Sequence, residues 1–378
     1  MPGRACSRLA IYRRAFVVIA FAMIAGCRRE ALALEPAPSS TPQVGIYYFD
    51  GWAHPSPSDI HVGTMPQNYP ERKPLSGWYD NSAALVHQQI EWAQGAGATF
   101  FIFDWYDTSR DKNPSDQTLN SAVTFFKHDP NKLGMQYALL YVNNGSFSIP
   151  RAKWTAACHQ WVNNFLKDPA YFKIGGKPLL VVFGVGAMER EWGGPQGVAM
   201  AWKKLRDTAM QAGLPGVFVV GSTLPGPQNG WPNLKAMVPE GYDAYSGYNY
   251  PGEPGTVPGN NPYSLLARGS LAIFNDFASD GSTPFIPVVT DGWDPRPWNE
   301  TPFWYTRSPA EFSSFVTSTL GWWCDHPAMR VTASPLIFIE AWNELGEGSY
   351  LVPTSGDGFA YTKALKQGLS AAGACKQQ

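Results

Sequence analysis

The chain is poor in residues that bind metals. Six histidines and five cysteines are spread over 378 residues, with no CxxC, HxH or HExxH spacing. Zinc ligands usually come in such close pairs, so no metal is expected, and nothing calls for a cofactor. Charge of one sign is also lacking, since 29 Lys and Arg against 30 Asp and Glu leave a formal net charge of -1. Phosphate backbones are bound by basic faces, so no nucleic-acid partner is expected. No GxGxxG follows the first strand-like run, which removes the fingerprint of a dinucleotide-binding doubly wound sheet. No Asp-x-Asp pair is present to hold a nucleotide diphosphate through a metal. No internal repeat is visible.

Apolar and aromatic residues are plentiful. Hydrophobic residues make up 44% of the chain, with 15 Trp and 17 Tyr, enough for a sizeable core. Aromatic rings at strand ends also suit stacking on sugars. Residues 1–34 read as an export signal. Arg4, Arg8, Arg13 and Arg14 precede a short apolar run from Ala15 to Gly26, too short for a typical spanning helix. The run ends in Ile24-Ala25-Gly26-Cys27, like a lipobox, so Cys27 is the expected lipidation site and a lipid anchor there the expected membrane contact. Cleavage after Ala31-Leu32-Ala33 and an uncleaved anchor are the alternatives. All three place the protein outside the cytosol, as a periplasmic or outer-membrane-anchored lipoprotein or a secreted protein. Residues 35–43 form a Pro-, Ser- and Thr-rich tether. Cys158, Cys324 and Cys375 then remain, an odd number that allows one disulfide and a free thiol without saying which pair.

From residue 44 to 372, strand-like runs alternate with amphipathic helices. The strands are expected at Val44–Phe49, Thr99–Trp105, Gln136–Val142, Pro178–Phe183, Val217–Gly221, Tyr242–Tyr248, Phe285–Thr290 and Leu336–Trp342. Runs such as Phe100-Phe101-Ile102-Phe103 fit parallel strands buried on both faces. Asp80 is placed to cap a helix from Asn81, Val198 to Ala212 has helical spacing, Ser308-Pro309-Ala310-Glu311 is a capping box, and a last helix spans about Ala360 to Leu369. The fold class expected is α/β: a single-domain (β/α)8 TIM barrel. Two Gly-, Pro- and Asn-rich stretches, 53–78 and 251–262, follow strands and so belong to the face where active-site loops gather.

Polar and aromatic residues cluster at the strand ends. Tyr48 and Asp50 end the first strand, and Asp104, Trp105 and Tyr106 the second. Asn143 ends the third, Tyr248, Asn249 and Tyr250 the sixth, and Trp293, Asp294 and Arg296 the seventh. Trp342, Asn343, Glu344 and Glu347 end the eighth. Alternation places Ile339 and Ala341 on one face, and Glu340, Trp342 and Glu344 on the other, toward the barrel interior. Two neighbouring carboxylates push their pKa values apart, so that one serves as acid and the other as base or nucleophile. Glycoside cleavage needs such a pair. Glu344 and Glu347 are the candidate catalytic residues, and the other strand-end residues the candidate carbohydrate contacts. Glu340 is either a partnered structural carboxylate or a third member of the site.

The segment Trp342-Asn343-Glu344-Leu345-Gly346-Glu347-Gly348-Ser349-Tyr350-Leu351-Val352-Pro353 resembles the WNEW-x-EG-x-x-x-EP signature of the glycoside hydrolase family 99-like and WbsX-type group. Tyr47-Tyr48, the Gln89-to-Ala93 run leading to Phe101-Ile102-Phe103-Asp104-Trp105-Tyr106, Gly292-Trp293-Asp294-Pro295-Arg296 and Phe359-to-Leu365 are similar to further segments of that group. The resemblance implies a (β/α)8 barrel without metal and a retaining glycosidase. In it Glu347 is the acid/base, and Glu344 the base on the sugar 2-hydroxyl that yields a 1,2-anhydro intermediate. Leu345 stands where the group usually has Trp, Val352 where it has Glu, and Glu340 where WbsX relatives tend to have Asn, so mannose specificity is not implied. The activity expected is cleavage of polysaccharide or oligosaccharide glycosidic bonds. A WbsX-like glycosyltransferase and a non-catalytic glycan-binding lipoprotein are the alternatives.

Overall fold

The structure is a computed structural model that describes residues 41–52, 61–79, 82–110, 118–225, 233–252 and 254–372. The expected signal segment, Cys27, Asp80 and Cys375 lie outside the described residues. Eight parallel strands run around one sheet: β1 (Gln43–Tyr48), β2 (Phe100–Trp105), β3 (Gln136–Tyr141), β4 (Lys177–Val182), β5 (Phe218–Ser222), β6 (Ala244–Ser246), β7 (Val288–Thr290) and β8 (Leu336–Glu340). Their order is β6-β5-β4-β3-β2-β1-β8-β7. The open seam between β6 and β7 is bridged just before β7, where Tyr245 N donates to Pro284 O at 2.9 Å and Ile286 N to Tyr245 O at 2.9 Å. The result is a nearly closed barrel, the expected fold class.

Helices wrap it: α1 (Ala83–Ala96), α2 (Ser121–His128), α3 (Arg151–Trp161), α4 (Val185–Trp192), α5 (Pro195–Gln211), α6 (Tyr263–Asp280), α7 (Pro309–Asp325) and α8 (Ala360–Ala371). Between β5 and β6 the described residues hold only a short turn of helix, Leu234–Met237, followed by a tight turn at Val238–Glu240. The caps explain the boundaries. Ser308 Oγ accepts from Glu311 N with Pro309 in the first turn of α7, as its capping box foretells. At α1 the cap is Ser82, whose Oγ accepts from Leu85 N, so the helix begins two residues later than Asn81. Gly97, at φ 103°, ends it in the left-handed region that favours glycine.

Two expected strands are shorter than their apolar runs, each for a local reason. In the sixth, Asp243 accepts from Val219 N and from Arg206 before β6 begins. After it, the Tyr250 ring occupies the space a side chain at Gly247 would need. In the seventh, Pro287 has no N–H for a ladder. Phe285 and Ile286 therefore join β6, while Val288–Thr290 pair with β8.

Alternation sorts each strand into two apolar layers. Tyr47, Phe100 and Phe338 meet inside the barrel, and Gly45 leaves room for the Phe100 ring. Outside it, Tyr48, Phe101, Phe103 and Phe126 pack between the sheet and α2. Trp105, Tyr141, Trp154 and Trp161 form a second aromatic cluster against α3. Cys158 is a free, buried thiol within α3. Cys324 is in a disulfide, and its partner lies outside the described residues.

Glu240, just before β6, is fully buried. Burial, and then its neighbour Glu189, push its carboxyl up to about 9. An unfolded chain would release that proton near 4.5, so stability falls as pH rises from there toward 9. Glu240→Gln keeps a neutral side chain and removes this slope. Thermal melts should show the variant matching the parent near pH 4.5 and exceeding it by roughly 2–6 °C at pH 8. A gap that does not change with pH would contradict this account.

Candidate active site

The motif after β8 is fixed onto the end of β1 before it reaches the barrel mouth. Trp342 N donates to Tyr47 O at 2.7 Å. The Asn343 side chain accepts from Phe49 N at 2.9 Å and donates to Phe49 O at 2.8 Å, replacing a strand pair with a side-chain clamp. Trp52 Nε1 donates to Asn343 O at 2.9 Å. The Trp342 ring turns outward to Phe101 and donates to Gln89 on α1. This differs from the inward placement expected by alternation. β8 ends at Glu340, so alternation stops before Trp342. Glu344 then pairs with Ser349 in a two-residue antiparallel ladder, and Glu347 sits at the tip of that hairpin.

Glycines let the hairpin sit close to the loop after β7. A side chain at Gly346 would meet the Trp298 ring at 2.0 Å, and one at Gly348 would meet Asp294. Gly348 also holds φ 78°. Asp294 N donates to Glu347 O at 2.5 Å. Arg72, on the loop after β1, ties the three segments together. It donates to Leu345 O at 2.7 Å and to Asp294 O at 3.0 Å, and pairs with the Asp294 carboxylate at 2.5 Å. Arg296 forms a second pair with Asp294 at 2.6 Å and lies over the Trp304 ring. Burial alone would raise the Asp294 pKa, but the two guanidiniums outweigh it and hold the carboxyl below its usual value.

The hairpin projects Glu344 and Glu347 into a cavity of about 590 Å³ at the C-terminal ends of the strands. Asp104, Tyr106 and Tyr248 complete its polar lining together with His61 and Asn144. Phe49, Phe147, Phe183 and Trp298 form aromatic walls. Glu340 lies below, fully buried. Asn249 donates to Glu347 at 3.4 Å.

Tyr248 joins two of the acids. Its hydroxyl lies 2.6 Å from Glu344 Oε1 and 3.2 Å from Asp104 Oδ2. One O–H proton serves one acceptor, and the shorter contact takes it. The second contact becomes a hydrogen bond only when Asp104 carries a proton and donates to the tyrosine oxygen. Electrostatics agree, because burial and then Glu344 hold Asp104 well above its usual pKa. Burial raises Glu344 to about 8, against the lowering effect of the Tyr248 hydrogen bond. Glu347 is raised well above its usual value by burial and then by Glu344, Glu340, Glu300 and Asp104. Glu340 is raised likewise by burial, Asp291 and Glu344. Carboxyl groups this buried, with no cation among the described lining residues, share protons rather than ionise together.

Not every strand-end residue reaches this cavity. Tyr48 and Trp105 belong to the outer aromatic layers. Asp50 accepts from Ala122 N at 2.5 Å, at the start of α2. Asn143 bonds both backbone groups of Gly184 across β3 and β4, and its neighbour Asn144 lines the cavity instead. Tyr250 packs on Phe274, and Trp293 donates to Thr301. Asn343, Asp294 and Arg296 support the hairpin from behind. Of the two Gly- and Pro-rich loops, the first contributes His61, while the second pairs Gly259–Pro262 with Phe303–Thr306 in a separate small sheet. Arg72, Phe147, Phe183 and Trp298 were not marked by sequence. Alternation back from Asp104 and Glu340 identifies inward residues such as Tyr47 once the pairing register is known.

Residues 266–365 match the family model described as "Glycosyltransferase WbsX". A curated relative, "Uncharacterized protein WxcX" of Xanthomonas campestris pv. campestris, is 23% identical over 346 residues. The match covers 82% of this chain and 45% of the relative, so the chain spans about half the length of that protein. Among solved structures, a GH99 endo-alpha-mannosidase from Bacteroides thetaiotaomicron superposes with a TM-score of 0.60 at 14% identity, covering 87% of this chain and 96% of the other. A further structure described as the same kind of enzyme, in complex with BIS-TRIS-propane, gives 0.59 at 15% identity, covering 87% and 97%. One described as a "Glycoside hydrolase-like protein" gives 0.55 at 15% identity, covering 86% and 93%. Residues 266–365 are thus similar to the WbsX family model, and the chain has a barrel fold like that of these solved structures.

Proposed function

We propose that the protein is a glycoside hydrolase in which Glu347 is the acid/base and Glu344 the base. The carrying observation is the pair's setting: the buried Glu344 and the half-buried Glu347 on one hairpin, projecting into an aromatic-walled cavity at the C-terminal end of the barrel. An acid must hold its proton at working pH until the leaving oxygen takes it. Glu347, with the crowd of carboxylates around it, does so. Glu344 must lose its proton to act, and the Tyr248 hydroxyl favours that charged form. Retention fits this division of roles, with Glu344 assisting formation of the new bond at the anomeric centre and Glu347 first donating and then accepting a proton.

The family label supports a transferase as a second reading. A nucleotide sugar, however, brings two phosphates, and the described lining offers them carboxyl groups rather than cations. The proposal extends to export, as a lipoprotein acylated on Cys27 or as a secreted protein. The disulfide at Cys324 suits an oxidising compartment.

A screen of the purified protein against a polysaccharide panel, reading new reducing ends, tests the activity. With a substrate in hand, Glu347→Gln should lower kcat/KM by about 10²–10⁴-fold while the melting temperature holds. Near-full activity would remove Glu347 from the acid role. The pH profile carries a second expectation. Because burial raises Glu344, the rising limb of kcat/KM should lie near 8 rather than 4.5. Tyr248→Phe deletes the group that favours the charged carboxylate, so its rising limb should move to still higher pH. A limb that stays put, or moves down, would contradict Tyr248 as the donor that tunes this base.

A further inference from the structure

The two glutamates of the hairpin are held by different parts of the barrel. Glu344 closes the two-residue ladder opposite Ser349, and its carboxylate receives the Tyr248 hydroxyl at 2.6 Å. Leu345 to Gly348 form the loop beyond that last ladder pair. Glu347 therefore stands on a turn, where a side chain keeps much of its freedom unless packing fixes the backbone beneath it. The loop after β7 supplies that packing. Asp294 N donates to Glu347 O at 2.5 Å, and Gly348 abuts the Asp294 backbone.

A third contact on the turn is made by Trp298. A Cβ built on Gly346 would fall 2.0 Å from Trp298 Cε2 and 2.3 Å from both Cδ2 and Cζ2. Near-equal distances to three bonded ring atoms place the glycine over the face of the indole, not at its edge. The ring is itself held from several sides. Its Nε1 donates to His61 O at 3.1 Å, Phe49 meets it edge to face at 5.9 Å, and Trp52 lies nearly parallel at 6.2 Å. Trp52 in turn donates to Asn343 O, at the foot of the hairpin. The loop carrying Trp298 is turned tightly, since Trp298 N and Asn299 N both donate to Pro295 O. Trp293 Nε1 pins its far side to Thr301.

We propose that Trp298 is the positioning residue of the acid/base: the indole face bearing on Gly346 sets where the Glu347 carboxyl stands beside the scissile oxygen. The proposal rests on the hydrolase reading above. Trp298 acts through Gly346 and transfers no proton itself. An acid works only within hydrogen-bond reach of the leaving oxygen, and a misplacement of about 1 Å can cost about 10²-fold in rate. Glu344 keeps its ladder pair and its Tyr248 hydrogen bond whatever stands at 298, so loss of the brace falls on Glu347 first. The same ring lines the cavity, which makes brace and wall one side chain. The two roles separate kinetically. Loss of a wall weakens every substrate alike, whereas a displaced acid penalises only substrates whose leaving group needs a proton.

Kinetics on the full chain test this, with phenyl and dinitrophenyl glycosides of the sugar released from whichever polysaccharide of the panel is cleaved. A phenyl leaving group needs the acid and a dinitrophenyl group does not. Trp298→Ala should lower kcat/KM on the phenyl glycoside by about 10²-fold beyond any loss on the dinitrophenyl glycoside, which carries whatever the missing wall costs in binding. Gly346→Ala keeps the wall's ring and forces it off the hairpin, so it should show the same selective loss. Adding Gly346→Ala to Trp298→Ala should cost little more, because the new methyl then meets no ring. Cooperative melts identify the folded variants, and Gly346→Ala carries the test where Trp298→Ala does not fold. Equal losses on the two glycosides, or no loss, would overturn the positioning role and leave the hydrolase reading standing. A parent protein that cleaves no polysaccharide removes both.

Discussion

The site depends on one electrostatic constraint: several carboxyl groups are gathered at the mouth of the barrel with no Lys or Arg among the described lining residues. An isolated carboxylate moved out of water costs several kcal/mol even after relaxation, and neighbours of like charge raise that cost. The described cluster cannot ionise as a set at neutral pH. It must keep protons. The Tyr248 hydroxyl lies closer to Glu344 than to Asp104, and burial and then Glu344 hold Asp104 well above its usual pKa. Acids that retain protons at neutral pH are the chemical resource a glycosidic oxygen needs.

Cations are abundant a few ångströms behind this mouth, and their placement explains why the cluster persists. Arg72 and Arg296 close on Asp294, and Arg307 lies between the Tyr350 and Tyr361 rings. Each guanidinium satisfies carboxylates or carbonyls of the loops that carry the site, and so orders the wall without entering it. Arg72 matters most here, since it joins the loops after β1, β7 and β8 through the Asp294 and Leu345 carbonyls. Acids line the cavity and arginines build its support. That separation keeps the carboxyl pKa values high while the hairpin remains rigid.

Much of this was legible in the residues. Near-continuous apolar runs identify buried parallel strands, and the glutamates of a Glu-x-x-Glu hairpin flanked by glycine stand out against them. The barrel follows from such patterns because local preference and burial agree along β2 and β4. What could not be read is direction at the strand ends. Alternation holds only while the strand lasts. At Trp342 the chain has left β8, and the ring packs outward on Phe101. At Asn143 and Asn343 the side chains bond to a neighbouring backbone, replacing ladder bonds. A polar residue at a strand end is equally suited to ligand contact and to such clamping, and only the neighbour's position separates them. Arg72 is invisible for the related reason that its partners lie 222 and 273 residues away.

The departures from the family signature gain a physical meaning from their positions. Leu345 and Val352 do not line the cavity. Both pack behind the hairpin around Trp52 and Trp78, with Pro74 and Gln89. Replacing a large ring by leucine there alters how the hairpin is propped from the rear and leaves the groups facing a substrate in place. The cavity's walls come from elsewhere: His61 and Trp298 from the loops after β1 and β7, and Asn144 and Phe147 from the loop after β3. On the glycoside-hydrolase reading proposed above, the hairpin would set the chemistry and these separately anchored walls the glycan that reaches it.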